Sequence, residues 1–333
     1  MLGAILLLLV AFPAVSWSAE PQARLAAAWR RTLDSLLAQG VLPLIDLSST
    51  FDEFDLNPGP LAERLQELGV ALMAVTCEEA GLESALGPCA SRAAAERPDV
   101  FIPLPTGDLP HYRRFRGAAD PDRLWREVKA AAGQGAPLLG PLHFRMKPAS
   151  ARDGDSVQPS TPDADLLAKV FAFCAGSRVV QQIVGAEEDD RFLPALEKLL
   201  TEHPQARVIW ARSGRTPGAA EAAARSAVLA RGLLERHSNL YLDLSLRAVN
   251  RGAPGGLPDP YLAADGRLYP GWKLLIEEQP WRFVSALGIF PHTMGRLSGA
   301  AARQRDILGQ LAAEARAIVA YKAAWKLLFD EEL

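Results

Sequence analysis

Side chains that could do chemistry stand directly after apolar runs in this sequence. The run 43–47 is followed by three consecutive hydroxyl residues, Ser48, Ser49 and Thr50. If this run is a strand of a parallel α/β barrel, its carboxyl end opens at the face where such barrels place their chemistry. The sequence therefore predicts that hydroxyl groups line part of a pocket at this face.

Other apolar runs are followed by residues that could serve the same pocket, and several of them are cationic. Guanidinium groups bind carboxylate or phosphate through paired hydrogen bonds, so three arginines and a histidine beside hydroxyls predict a site for an anionic small molecule. A neutral alternative is also open, in which each arginine pairs with an acid such as Asp46, Glu187 or Asp243. The predicted ligand-binding residues are Ser48, Thr50, Cys77, His143, Arg145, Arg212, Ser245 and Arg247, with Ser49 and Thr106 beside them.

Nucleophilic catalysis is a second interpretation of the same residues. Cys77 or Ser48 would need an adjacent base, and His143 is the only histidine near a predicted strand end. Glu78 and Glu79 follow Cys77 and would disfavour its thiolate. No catalytic residue is therefore assigned, and catalytic activity is left open.

Two acidic clusters follow the first and fifth apolar runs, at 52–55 and 187–190. Carboxylates together with backbone carbonyls could hold a hard cation such as Ca²⁺. Acids in the first turn of a helix also interact favourably with its dipole and face solvent. The second explanation is sufficient, and the sequence predicts no metal at either cluster.

The elements that must position these residues alternate regularly along the chain. Eight runs predict strands, separated by segments with helical spacing of apolar residues. This alternation favours a (β/α)8 TIM barrel with an extra N-terminal helix and closing C-terminal helices, and a Rossmann fold lacks its glycine-rich fingerprint. The predicted strands are 41–47, 70–76, 100–104, 137–144, 178–184, 206–211, 240–244 and 282–287, and the predicted helices are 24–39, 60–68, 121–132, 163–175, 191–202, 217–236, 272–278 and 300–328.

Composition and the first residues predict where the protein works. A chain of 333 residues can form a single barrel domain, and a net charge of −3 with mixed signs argues against a nucleic-acid partner. The apolar run 2–17, followed by small residues, predicts a signal peptide cleaved after Ser18 or Ala19. It is shorter than the roughly 20 residues of a membrane span, although a retained anchor is the alternative. We predict an exported protein, periplasmic or secreted, with a signal peptide at 1–19, a helix at 20–40 and a barrel domain at 41–333.

The three cysteines fit no metal-binding spacing. In an oxidising compartment Cys77 and Cys89 could pair, although the sequence leaves this pairing open. Cys174 lies in an apolar helical segment and is predicted to be a buried thiol.

Four segments in order resemble the amidohydrolase superfamily, specifically its amidohydrolase-related group of metal-dependent hydrolases and decarboxylases. They are 44–50 (LIDLSST), 199–214 (LLTEHPQARVIWARSG), 239–245 (NLYLDLS) and 281–288 (WRFVSALG). The resemblance extends over the chain from about residue 41. It implies a metal-dependent hydrolase-like TIM barrel, an ancestry among hydrolases, and a divalent cofactor such as Zn or Mn.

The metal ligands that the resemblance implies are substituted in this chain. The His-x-His pair of the family's first strand falls on Ser48 and Thr50, and the histidine of its sixth strand falls on Arg212. The histidine of the fifth strand falls on Ile183 or Val184, and the aspartate of the eighth strand falls at about Gly288. Hydroxyls, a guanidinium, an aliphatic group and a glycine lack the nitrogen and carboxylate ligands that zinc requires, so no metal cofactor is predicted.

Three functions follow as hypotheses. The first is a pseudoenzyme that binds an anionic small ligand or a protein partner. The second is an active hydrolase or (de)carboxylase/lyase with a rearranged site. The third is a scaffold subunit of an extracytoplasmic assembly, such as a homo-oligomer, with the loops 147–162 and 252–265 as contact surfaces and no membrane span after signal cleavage.

Overall fold

A computed structural model describes residues 19–52, 56–78, 88–104, 121–133, 136–144, 164–185, 192–211, 220–245, 261–263, 265–289 and 295–333. Within these residues, eight parallel strands alternate with helices along the chain. The strands are β1 (Leu44–Asp52), β2 (Val70–Glu78), β3 (Phe101–Pro103), β4 (Leu138–Phe144), β5 (Val180–Gly185), β6 (Arg207–Trp210), β7 (Leu240–Asp243) and β8 (Phe283–Val284).

Helices precede, separate and follow the strands. The first eight are α1 (Ala19–Ala38), α2 (Pro58–Glu67), α3 (Pro88–Glu96), α4 (Pro121–Gly133), α5 (Ala164–Ser177), α6 (Phe192–Glu202), α7 (Ala220–Arg236) and α8 (Pro270–Glu278). A 3₁₀ turn (Pro280–Arg282) leads into β8, and α9 (Leu297–Gly309) follows it. The chain closes with α10 (Ala313–Ala317), a π-helical turn (Ile318–Lys322) and α11 (Ala323–Phe329). No described helix is both long and apolar enough to cross a lipid bilayer.

The strands form two parallel sheets in sequence order, β1-β2-β3 and β4-β5-β6-β7-β8. Central strands such as β2 are apolar along almost their whole length because both faces are covered. The predicted α/β class with parallel strands is confirmed. Among the described residues no strand pairing joins β3 to β4 or β8 to β1, so the closed TIM barrel stays a prediction.

The edges of β1 and β8 are joined by separate hydrogen bonds. The Thr50 N–H donates to the Ile289 carbonyl at 2.9 Å, and the Leu287 N–H donates to the Asp46 carboxylate at 2.9 Å. Between Leu287 and Ile289 stands Gly288 with a φ of +64°, a left-handed conformation that glycine adopts without steric cost. The segment after β8 thus turns its backbone towards β1.

Two elements differ from the sequence prediction. The first strand was predicted to end at residue 47, but β1 continues to Asp52 and includes Ser48, Ser49 and Thr50. The prediction was wrong because an apolar run followed by hydroxyl residues is also the pattern of a strand that ends there. In the structure Ser49 and Thr50 pair with Val75 and Thr76 of β2. Helix α3 was not predicted at all. The predicted contact loop 147–162 lies outside the described residues.

Helix α1 packs on the closing helices through one apolar face. Trp29 and Leu33 are fully buried, and the Trp29 ring lies 5.5 Å from the ring of Phe329. Leu37, near the end of the helix, is 43% exposed. The helix ends at Ala38, and Gly40 follows it with a φ of +73°, which is typical of the residues after a helix C-terminus.

Replacing Trp29 by alanine tests this packing. The large cavity left by a fully buried indole should lower the free energy of unfolding by about 3–5 kcal/mol. Leu37→Ala is the matched control on the same helix, and it should cost less than about 1 kcal/mol because the side chain is partly in solvent. Urea denaturation followed by circular dichroism measures both values. Equal losses in the two variants would contradict the docking of α1.

Candidate functional site

A β-bulge in β1 shapes the predicted hydroxyl site. Asp46 pairs with Met73 and Ser49 pairs with Val75, so β1 has one more residue than β2 between these pairs. Such a bulge bends the strand and redirects its side chains. The Ser48 N–H donates to Asp46 Oδ1 at 3.0 Å, and the Ser49 hydroxyl donates to Asp46 Oδ2 at 2.5 Å. Two donors of β1 therefore bind the Asp46 carboxyl group of the same strand.

The same carboxyl reaches across the seam between the two sheets. Asp46 Oδ1 also accepts the N–H of Leu287, which follows β8. Asp46 is completely buried, and these three donors offset part of the cost of removing a carboxylate from water. The Asp46 carboxyl thus connects β1 to the end of β8.

A second buried carboxyl ends β7. Asp243 is completely buried, and it accepts a hydrogen bond of 2.9 Å from the Ser245 hydroxyl. The hydroxyl of Tyr261 donates to the Ser245 carbonyl and holds this residue in place. The Ser245 hydroxyl is therefore engaged with Asp243 in this structure.

Burial is the main reason that the pKa of Asp46 rises from 3.8 to about 6, and the nearby Asp243 carboxyl contributes to this rise. The hydrogen bonds from Ser49, Ser48 and Leu287 act in the opposite direction because they favour the ionised form. The outcome is a carboxyl group that exchanges its proton close to neutral pH.

Gln182 is a site residue that the sequence analysis missed. Its amide nitrogen donates to the Leu47 carbonyl of β1 at 2.9 Å, and the side chain is buried. A Cβ atom on Gly140 of β4 would lie 2.4 Å from the Gln182 carbonyl oxygen, and Gly140 has a φ of +127°, so glycine is required there. The detectable signal in the sequence was the pair Gln181 and Gln182 within an otherwise apolar strand.

The structure describes only part of the predicted ligand set. Ser48, Thr50 and Ser245 are all buried. Ser48 is the middle residue of β1, Thr50 lies nearer its carboxyl end, and Ser245 follows β7 by two residues. His143 belongs to β4, but its side chain lies outside the described part of the chain, as do the residues Arg145, Arg212 and Arg247. The predicted cationic pocket therefore stays a prediction.

Cys77, at the carboxyl end of β2, is disulfide-bonded. Cys174 is free and buried. Burial raises the pKa of the Cys174 thiol to about 12, so it is an inert core residue. A disulfide-bonded Cys77 has no thiolate to serve as a nucleophile.

The residues at the positions where the resemblance implies metal ligands do not fit a transition metal. Ser48 and Thr50 are neutral hydroxyls, Ile183 is a buried aliphatic residue, and Gly288 has no side chain. The neighbouring Asp46 carboxyl already accepts three hydrogen bonds from the protein. Within the described ranges no group of three histidine, cysteine, aspartate or glutamate side chains could hold a metal ion.

Several described arginines bind backbone carbonyls near the amino ends of the strands. Arg305 donates to the Leu68 carbonyl at 2.8 Å and to the Leu42 carbonyl at 3.0 Å, just before β2 and β1. Arg282 donates to the Leu234 carbonyl near the end of α7, and burial lowers the pKa of this guanidinium. These cations interact favourably with the negative C-terminal ends of helices. The arginines near the amino ends of the strands therefore stabilise the fold.

Of the comparisons with known proteins, only the one with solved structures gives matches. No protein-family model matches the chain, and no curated protein matches it significantly. Among solved structures it is similar to amidohydrolase 2 from Bifidobacterium longum subsp. infantis, with 14% identity and a TM-score of 0.37. The match covers 86% of this chain and 99% of that one. At this TM-score the likeness carries no argument about function, which must come from the site.

Asp46→Asn tests the buried carboxyl. Between pH 3.8 and about 6 the folded protein keeps a proton that the unfolded chain has lost, so its stability should fall as the pH rises through this window. Asparagine can still accept from Ser48 and Leu287 and can donate to Ser49, but it does not ionise. The variant should lose this pH dependence and, above pH 7, gain at most about 3 kcal/mol over the natural protein.

Urea denaturation between pH 4 and 8 measures the effect. Asp34→Asn is the control, because Asp34 is an exposed carboxyl on α1 whose side chain is 58% accessible. This control should leave the pH slope unchanged. An identical slope in the natural protein and in Asp46→Asn would contradict a raised pKa for Asp46.

Proposed function

We propose that the chain is an exported amidohydrolase-like pseudoenzyme that binds an anionic small molecule at the carboxyl ends of its strands. The observation that carries this proposal is the state of β1. The positions where the resemblance implies metal ligands hold the buried hydroxyls Ser48 and Thr50, and the neighbouring Asp46 carboxyl is engaged by Ser48, Ser49 and Leu287. The described side chains of this strand therefore offer hydrogen bonds to a ligand rather than a set of metal ligands.

The anionic character of the ligand is supported by the sequence positions of three cations. Arg145 directly follows β4, Arg212 follows β6 by two residues, and Arg247 follows β7 by four. Because parallel strands end at a common edge, residues directly after them belong to the same face. Arginine there suits a carboxylate or a phosphate, and the hydroxyl residues Ser48 and Thr50 suit the same groups.

An active hydrolase or lyase that uses no metal is the second candidate. It is favoured by Asp46, whose pKa of about 6 lies close to the pH at which a general acid or base works best, and by the presence of a second buried carboxyl, Asp243. The buried state of both carboxyls opposes it, because a catalytic group must come within hydrogen-bond distance of its substrate. Retention of hydrolytic activity by the natural protein and its loss in Asp46→Asn would favour this candidate.

The proposal of export is supported by Cys77. Disulfides persist in the periplasm and outside the cell, where thiols are not kept reduced, and Cys77 is disulfide-bonded. Helix α1 begins at Ala19, beside the predicted cleavage site, so processing after Ser18 or Ala19 would leave the buried Trp29 and Leu33 in the mature chain.

Metal retention and anion binding distinguish the two functions. The purified protein, exposed to Zn²⁺ and Mn²⁺ and then dialysed, should retain far less than one metal ion per chain by elemental analysis. The same protein should rise in melting temperature with millimolar carboxylates or phosphate, because a ligand that binds only the folded state stabilises it. Stoichiometric metal, or no response to any anion of a broad panel, would contradict the proposal.

Export predicts a specific mass for the mature protein. Expression with the native N-terminus in a host with a general secretion pathway should give an extracytoplasmic protein that lacks 18 or 19 residues. Alkylation of the denatured protein after reduction should add two more alkyl groups than alkylation without reduction, because one disulfide is expected. Intact-mass spectrometry measures both, and a full-length protein with three reactive thiols in the denatured, unreduced state would contradict export.

A further inference from the structure

A surface cleft lies between α2 and the first turn of α9. Its volume is about 370 Å³, and its lining includes Asn57, Pro60, Leu61, Arg64, Leu297 and Ser298. This volume falls within the range of small-molecule sites. Helix α2 follows β1 and α9 follows β8, so the first turn of each helix lies at the carboxyl-end face of the strands. The cleft extends from this face along α2 to Arg64 in the last turn of that helix.

The polar wall of the cleft is organised around one guanidinium. Arg64 Nη2 donates to the Ser298 hydroxyl of α9 at 2.7 Å, and Arg64 Nη1 donates to Glu67 Oε2 at 2.6 Å. Ser298 accepts this bond and keeps its own O–H as a donor, while the guanidinium has further N–H groups. A cation and a hydroxyl donor are thus held together across the two helices.

In the first turn of α2, side chains rather than the backbone N–H groups are left to bind a ligand. Pro58 and Pro60 have no N–H, and the Leu61 N–H already donates to the Asn57 carbonyl at 3.1 Å. The exposed Asn57 side chain makes no capping hydrogen bond to the helix. Its amide group therefore remains for another acceptor, beside Arg64 and Ser298.

We propose that this cleft binds the oxyanion of a small carboxylate or phosphate monoester, with Arg64 as the paired donor and Ser298 and Asn57 as further donors. Pro60, Leu61 and Leu297 give the cleft an apolar wall for the carbon part of the ligand. The inference deepens the proposed function and rests on it, because it assigns an oxyanion site to described residues of the same face.

The ion pair between Glu67 and Arg64 does not prevent Arg64 from binding an oxyanion. The Arg64 and Glu67 side chains are 50% and 64% exposed, and ion pairs in such surroundings contribute little because water and salt screen them. An incoming oxyanion that pairs with Arg64 through two hydrogen bonds makes a stronger interaction. Glu67 thus acts as a weak internal competitor that the ligand displaces.

Titration calorimetry at low ionic strength tests this site, with butyrate and inorganic phosphate as the probes. Arg64→Met should weaken binding at least tenfold, and Ser298→Ala should weaken it several-fold. Glu67→Gln should strengthen binding several-fold because it removes the competitor. The matched control is Arg231→Met, since Arg231 forms a comparable surface ion pair with Glu278 at 2.5 Å between α7 and α8, and it should bind both probes as the natural protein does. The tighter probe identifies a phosphate or a carboxylate as the preferred oxyanion.

Arg212→Met separates this inference from the proposed function. Binding that is lost in Arg64→Met and kept in Arg231→Met, with unchanged melting temperatures, supports the cleft. Binding that is lost in Arg212→Met but unaffected by Arg64→Met and Glu67→Gln overturns the cleft and leaves the proposed function standing. The absence of binding of both probes to the natural protein overturns the cleft, and a failure of the broad anion panel in addition overturns the proposed function.

Discussion

The hydrogen bonds of the Asp46 carboxyl are the interaction on which the arrangement of the two sheets depends. No strand pairing joins β1 to β8 in the described part of the chain, and Asp46 bridges this seam by accepting the Leu287 N–H. Ser48 and Ser49 satisfy the rest of the same carboxyl. A buried carboxyl in this position is costly unless it is hydrogen-bonded, so the bulge in β1 and the turn at Gly288 are constrained together.

This constraint also defines what the carboxyl-end face can do. Ser48 and Thr50 of β1 are buried hydroxyl residues, and the Asp46 carboxyl beside them is already hydrogen-bonded to Ser48, Ser49 and Leu287. Such a face offers hydrogen-bond donors rather than metal ligands, and donors suit an oxyanion. The Arg64 and Ser298 pair in the cleft between α2 and α9 extends the same donor character to described residues at the rim.

The described arginines are used in two ways. At the amino ends of the strands Arg282 and Arg305 bind backbone carbonyls and are partly desolvated, which stabilises helix ends and connections. Arg64, in the last turn of α2, is half exposed and is paired with an exposed acid and a hydroxyl. The first two arginines therefore serve stability, whereas Arg64 keeps N–H groups for a ligand.

The sequence by itself determined the eight strands, because strands buried on both faces are continuous apolar runs. It also indicated the buried Cys174 and the amphipathic α1. It missed α3, whose buried face consists of small residues such as Ala90 and Ala93 and gives almost no periodic signal. Only the tertiary structure decided that β1 continues through Ser48–Thr50 and that Gln182 belongs to the site. The contacts responsible join Gln182 to Leu47 and Leu287 to Asp46, residues 135 and 241 positions apart, and no local pattern encodes a partner so distant in the chain.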